Sequence, residues 1–232
     1  MIFGEEIVPK TDKKLIILVS TDRGLAGALN QKLFKKLLEE QQNFDNIDFF
    51  VLGKKGLEFL KRSGANIVGF LEMPDMIEEK HFLPLVEFVY QKLGEWAYSQ
   101  VMIYFNFFKN VVVQIPTSMY IFPLNFQTFE DINTELNLNI KESPKKMDFL
   151  IEPDLPSVIK EFQRQFRNYL FFVSILQNKT GEFASRMIAM KNAKDNSTEM
   201  IKWLTLIFNK ERQSKITQEV SEIVSAKEAI EW

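Results

Sequence analysis

All eight prolines of this chain lie at or before Pro156, and a single glycine, Gly181, follows it. Proline and glycine are the residues that most readily end a helix, because one lacks an amide proton and the other lacks a restraining side chain. From 157 onward almost nothing interrupts a helical pattern. Apolar residues fall at Ile159, Phe162, Phe166, Tyr169, Val173 and Leu176, then at Phe183, Met187 and Met190. They resume at Ile201, Leu204 and Phe208, then at Ile216, Val220 and Ile223. Steps of three and four make the seam of a coiled coil. Asp154 is placed to cap this helix, with Pro156 in its first turn. Roughly 75 helical residues at about 1.5 Å each give a rod of about 110 Å. Such a rod is expected to project and to meet a partner.

Before Pro156 the grammar is different. LIILVS (15–20) reads as a buried strand and QKLFKKLLEEQ (31–41) as the helix after it. IDFFVLG (47–53) is a second strand, followed by the short helix GLEFLKRSG, which ends at Gly64. NIVGF (66–70) is a third strand, and residues 79–98 are helical in pattern. QVMIYFNFF (100–108) and VVVQIPTSMYIFPL (111–124) read as two further strands joined tightly through Lys109 and Asn110. Residues 125–150 are polar and asparagine-rich, a loop with room for one more strand. Strands alternating with helices predict an α/β fold, a Rossmann-like, mostly parallel sheet with helices on both faces. The division expected is a globular domain over 1–150 and the long helix over 151–232.

Bulk properties exclude several functions. A net charge of −2 supplies no basic field for nucleic acid and no polybasic membrane patch. The absence of cysteine removes disulfides, zinc–thiolate sites and a thiol nucleophile. The first residues, MIFGEEIVPK, lack the pattern of a signal peptide. No apolar run approaches the roughly 20 residues of a membrane span, so direct membrane insertion is not expected.

The stretch with the strongest chemical suggestion is STDRGLAGALN (20–30), where a strand gives way to glycines and then a helix. That geometry can hold a phosphate at a helix N-terminus. Yet Asp22-Arg23-Gly24-Leu25-Ala26-Gly27 lacks the third glycine of a dinucleotide fingerprint, and no Lys-Ser/Thr follows to complete a P-loop. A structural turn is the better reading, with Gly24 and Gly27 allowing it and Ser20 or Asp22 bonding to amides. His81, the one histidine, cannot build a usual zinc site without cysteines. Ser20 and Ser118 have no partner that would make either a nucleophile. No carboxylate pair lies in an apolar run as a raised-pKa acid would. No catalytic constellation, metal site or cofactor is expected.

The long helix offers more. Small residues (Ala184, Ser185, Ala189, Ala193) alternate with methionines, a mixture that permits close approach and adapts to uneven surfaces. Farther on, Arg212, Gln213, Thr217, Gln218 and Glu219 crowd into two turns and weaken the seam around Gln213.

These stretches, taken together, resemble the gamma subunit of F-type ATP synthases. STDRGLAGALN is similar to that family's first strand–turn–helix, and EFASRMIAMKNAKDNSTEMI (182–201) to a stretch of its C-terminal helix. LTLIFNKERQSKITQEVSEIVSAKEAI (204–230) resembles its terminal signature, and VLGKKG (51–56) and QIPTSMYIFPL (114–124) fit in the same order. The resemblance implies a rotor shaft rather than an enzyme. Its foot would sit near a membrane ring (the c-ring) and the epsilon subunit. Its helix would rise through a hexamer of alpha and beta subunits that hold the nucleotide sites. It implies that Arg212, Gln213, Thr217 and Glu219 touch loops of the beta subunits, and that Val220, Ile223, Val224 and Ile230 sit in an apolar collar. The complex would lie at the cytoplasmic face of a cell membrane, or on the matrix side in an organelle.

One departure stands out. Family members normally begin with a long N-terminal helix antiparallel to the C-terminal one, whereas here the first strand starts at Leu15. EEIVPKTDKK (5–14) resembles only the connector after that helix. The seam is therefore expected to need a second antiparallel helix, since each unpaired large apolar side chain forgoes roughly 1.5–3 kcal/mol of burial. Three other readings stay open: a shaft doing mechanical work other than ATP synthesis, a nucleotide-binding α/β enzyme whose Gly24–Gly27 turn contacts phosphate, and a coiled-coil scaffold with no rotary partner.

Overall fold

The computed structural model describes residues 6, 8–124 and 152–230. By compactness the chain divides into two units, Met1–Met187 and Ile188–Trp232.

The first unit is built on a five-stranded sheet. β1 (Lys14–Val19), β2 (Ile47–Leu52), β3 (Asn66–Leu71), β4 (Gln100–Phe108) and β5 (Gln114–Phe122) take the spatial order β3-β2-β1-β4-β5. The first four strands run parallel and β5 closes antiparallel on β4. β1 is central, and its aliphatic run is buried on both sides, as a parallel sheet covered on two faces requires. Successive side chains alternate between two cores. Ile16 and Leu18 pack with Leu33 and Leu37 of α1 (Leu29–Glu40) and Leu60 of α2 (Lys54–Arg62). Leu15, Ile17 and Val19 pack on the other face with Leu85, Val86 and Val89 of α3 (Leu83–Gly94). The mostly parallel sheet with helices on both faces is as expected from the sequence.

The fourth helix, α4, runs unbroken from Leu155 to Ile230. Asp154 caps it as anticipated: its Oδ1 accepts from the Ser157 amide at 2.9 Å. Most of the seam read from the sequence is not the face that packs on the sheet, although Phe166 does lie against its core. Leu170, Phe171 and Ile175 enter the core beside α3, whereas Phe162, Tyr169, Leu176 and Phe183 stay exposed. Over this stretch the helix is apolar on two stripes, and three-and-four spacing fits both. The stripe that a sheet covers cannot be told from spacing alone.

Two boundaries differ from expectation. β5 begins at Gln114 rather than Val111, and the hairpin connection spans five residues. The Asn110 side chain explains it: its Oδ1 accepts from the amides of Val112 (2.9 Å) and Val113 (2.8 Å), holding a turn where a strand was read. The helix read over 79–98 is a 3₁₀ turn, Glu79–His81, followed by α3. The reading of 125–150 lies outside the described residues.

At the amino ends of the strands, buried Asp48 collects three donors. Lys13 Nζ lies 2.9 Å and the Tyr98 hydroxyl 2.7 Å from Oδ2, and Asn66 Nδ2 donates to Oδ1 at 2.7 Å. Burial raises the pKa of this carboxyl, but the hydrogen bonds from Lys13, Tyr98 and Asn66 outweigh it, and the net shift is downward. A carboxyl depressed in the folded state adds stability above its unfolded pKa of about 3.9, and that stability is lost as pH falls through the folded value. Asp48→Asn is therefore expected to flatten the loss of stability on the acid side, read as urea midpoints across falling pH. An equally steep acid limb in the variant would contradict this. Separately, Phe171→Ala should cost about 3–5 kcal/mol in urea unfolding of the full chain, because it opens a cavity where α4 meets the sheet.

Candidate functional site

The strand order reverses between β1 and β4, and in open α/β sheets the crevice at the carboxyl ends of such strands is where ligands bind. Here α4 lies across it. Asn178 Oδ1 accepts from the Asn106 amide at 3.1 Å and from its side chain Nδ2 at 2.9 Å. Gln177 Oε1 accepts from the Phe108 amide at 3.0 Å. Ser185 Oγ donates to the Ala26 carbonyl at 2.6 Å. The helix's own side chains thus take up the Asn106 and Phe108 amides of β4 and the Ala26 carbonyl in the turn after β1.

That turn is the stretch singled out in the sequence. Asp22 does bond to amides, though not to those of its own turn. Its Oδ1 accepts from Lys54 N at 3.1 Å and its Oδ2 from Met73 N at 3.0 Å, tying the turn to the start of α2 and the segment after β3. Ser20 Oγ accepts from Gly56 N at 2.8 Å and lies 3.0 Å from the Leu52 carbonyl. Thr21 Oγ1 donates to the Arg23 carbonyl at 2.9 Å and accepts from Asn30 Nδ2 at 2.7 Å. Gly27 has φ +55°, and a Cβ there would come 3.2 Å from Ser185 Oγ, so both conformation and space require glycine. Gly24 carries no such demand: a Cβ would meet nothing within 4 Å. Gly181 lies at another close crossing of α4, where a Cβ would stand 3.3 Å from Gln114 Cγ.

Beside this seam opens a cleft of about 410 Å³ lined by Asp22, Arg23, Lys54, Glu72, Asp75 and Lys179 among others. Its cations are matched by carboxylates. Arg23 pairs with Asp75 at 3.5 Å, Lys54 with Glu72 at 3.0 Å, and Lys179 with Glu182 at 3.2 Å and Asp75 at 3.4 Å. Glu182 also takes Arg186 at 2.7 Å. Lys179 and Glu182 are buried, and ions out of water are retained only with partners. With its cations so engaged, the cleft offers a phosphate no unopposed positive charge. His81 Nδ1 accepts from Glu78 N at 3.0 Å, and Ser118 Oγ donates to Glu40 Oε1 at 3.2 Å. Among the described residues no group of three or more His, Cys, Asp or Glu could hold a metal ion.

The residues of the far part of α4 are exposed. Arg212, Gln213, Thr217 and Glu219 all lie on the helix surface, and Thr217 Oγ1 donates to the Gln213 carbonyl one turn back at 2.8 Å. Helical spacing sorts them into two pairs. Arg212 and Glu219, seven apart, share the seam stripe, while Gln213 and Thr217, four apart, stand beside it. Val220, Ile223 and Val224 share one exposed face. Ile230 ends the helix, and its side chain lies outside the described residues. Sequence reasoning did not single out Gln177, Asn178 and Glu182. Their signal was available, since Asn178, Glu182 and Ser185 recur at i, i+4 and i+7 around a lone glycine.

Ser185→Ala is expected to cost about 1 kcal/mol through the lost bond to Ala26. Gly27→Val should cost more, because strain at positive φ adds to the crowding against Ser185. Urea unfolding of the two full-length variants checks the order, and a smaller loss in the glycine variant would refute it.

Comparison with known proteins follows this architecture. Residues 3–230 match a family model described as ATP synthase. The chain is 35% identical over 222 residues to the ATP synthase gamma chain of Ruthia magnifica subsp. Calyptogena magnifica, covering 93% of this chain and 73% of that one. It is 35% identical over 228 residues to the gamma chain of Buchnera aphidicola subsp. Acyrthosiphon pisum (strain Tuc7), covering 95% and 74%. In fold it is similar to a chain in the Euglena gracilis mitochondrial ATP synthase structure of OSCP, F1 and c-ring. That TM-score is 0.70 at 20% identity, over 95% of this chain and 74% of the other. A chain of the Tetrahymena thermophila mitochondrial ATP synthase central stalk and c-ring gives a TM-score of 0.58 at 20% identity, over 82% and 79%. With these matches running over nearly its whole length, the chain belongs to the gamma-chain family of ATP synthases, the subunit of the central stalk.

Proposed function

We infer that this chain is the rotor shaft of its ATP synthase and carries no catalytic step of its own. What supports this most is the match to the ATP synthase family over residues 3–230, with gamma chains as relatives, together with a helix that leaves residues 212–224 exposed. In this reading 1–150 is the foot and 151–232 the shaft. The helix stands within a hexamer of alpha and beta subunits, and the foot meets the epsilon subunit and the membrane c-ring. Arg212, Gln213, Thr217 and Glu219 touch loops of the beta subunits, and Val220, Ile223, Val224 and Ile230 fill an apolar collar. A second antiparallel helix covers the seam. No described helix is long and apolar enough to cross a membrane, which agrees with a peripheral place on the cytoplasmic or matrix face.

Mechanism then follows from linkage. Three catalytic subunits of identical sequence meet different sides of one asymmetric shaft. A contact shifts an equilibrium only by its differential affinity for two states, so each subunit is held at a different nucleotide affinity. Turning the shaft changes those affinities in sequence, and hydrolysis turns it in reverse. The two pairs on α4 suit this, because Arg212 and Glu219 address one direction while Gln213 and Thr217 address another.

Arg212→Ala and Gln213→Leu, assembled with alpha and beta subunits, are expected to lower coupled ATPase turnover roughly fivefold or more. Stability of the isolated chain should change by less than about 0.5 kcal/mol, as is usual for exposed helical positions. Full turnover in both variants would count against the shaft.

A further inference from the structure

Ahead of β1, the side chain of Glu6 turns inward rather than into water. Its Oε1 accepts from Arg167 Nη1 on α4, and its Oε2 accepts from the Leu124 amide, just past β5, at 2.8 Å. One carboxylate thus joins the segment before the sheet, the end of its last strand and the lower part of the long helix. Both partners are almost out of water, the Arg167 side chain at 10% exposure and that of Glu6 at 11%. The guanidinium also stands 5.9 Å from the centre of the Tyr90 ring on α3. The Tyr90 hydroxyl in turn lies 2.9 Å from the Arg164 carbonyl and 3.0 Å from Asn168 Oδ1. Among the described residues Glu6 is the only carboxylate paired with Arg167. A buried pair of this kind adds little net stability over apolar side chains of the same volume. What it adds is direction.

Its position gives that direction a use. Arg167 and Asn178 are eleven residues apart, about 16 Å along a helix and within about 20° of the same face. Between them Leu170, Phe171 and Ile175 supply apolar contact, which does not resist a small turn. The first unit therefore holds α4 by directional bonds at two levels, Gln177, Asn178 and Ser185 above and Arg167 below. At a helix radius of about 5–6 Å, a turn of about 20° moves a side-chain head by about 2 Å, enough to break such a bond. One level alone leaves a pivot; two fix the axis.

We propose that Glu6 and Arg167 are positioning residues, the lower clamp that obliges the foot to turn with α4. This rests on the shaft reading. A shaft passes on work only while its helix and its foot keep one angle. With the upper level alone the foot pivots about Asn178, and part of each step of the helix is lost as slip.

The test is the double variant Glu6→Gln with Arg167→Met, which removes both charges, keeps the volumes and leaves an acceptor for the Leu124 amide. The complete ATP synthase carrying it, in vesicles, is followed for ATP hydrolysis and for ATP-driven proton uptake together. Because the chain has no cysteine, Lys61→Cys on α2 and Gln165→Cys on α4, both exposed, take spin labels before assembly. The urea midpoint of the full chain and the hydrolysis rate should stay near wild type. Protons moved per ATP should fall about twofold or more, and the label-to-label distance distribution should broaden. Wild-type proton yield, with or without a broader distribution, overturns this inference and leaves the shaft reading standing. So does a urea midpoint that drops along with the yield, which marks the pair as an ordinary structural contact. A wild-type chain that supports no coupled hydrolysis overturns both.

Discussion

The seating of α4 over the β1–β4 crevice is the constraint on which the rest of the first unit depends. An open parallel sheet leaves backbone groups facing outward at its carboxyl end, and these must find partners. In a nucleotide-binding relative of the same topology a ligand and a glycine-rich loop would supply them. Here Gln177, Asn178 and Ser185 supply them from one helix face. Gly27 fits that choice: it takes the positive φ of the turn and leaves room beside Ser185.

Charge at this contact works in the same direction. Lys179 and Glu182 are buried together three residues apart, with Arg186 and Asp75 completing the set. Desolvation consumes most of what such pairs gain, so they add little net stability. Removing Lys179 or Glu182, however, leaves the other buried with a single, more exposed partner. The cluster therefore penalises a helix shifted along its axis or turned about it far more than it rewards the correct one. At the opposite end of the sheet Asp48 does the same for the strand starts, drawing Lys13, Asn66 and Tyr98 to one carboxylate.

Much of this could be read from residues alone. The aliphatic run at 15–19 with period-two partners in two cores, and the proline-free tail, fixed the fold class and the long helix. What escaped was the packing of α4. Phe171 and Ile175 of its buried stripe are four apart and Phe162, Tyr169 and Leu176 of its exposed stripe recur at seven, so helical spacing fits both faces and only the presence of a sheet decides between them. The hairpin was misjudged for a local reason. Three valines look like a strand, but a single asparagine side chain captured two of their amides. Asp22 was assigned the right chemistry and the wrong amides, because its partners Lys54 and Met73 are distant in sequence.

A shaft must resist rotation about its own axis where it is held. Apolar burial cannot do this well by itself. It supplies most of the free energy that keeps Phe171 and Ile175 in the core, yet it is indifferent to direction and tolerates small rotations. The bonds from Asn178, Gln177 and Ser185 are directional and weaken steeply when misaligned. Gln177 and Asn178 are adjacent and Ser185 lies two turns on, so a rotation or slide of the helix misaligns them together. The first unit thus divides the labour between two kinds of contact: the aliphatic stripe decides that α4 binds the sheet, and the polar stripe decides at which angle.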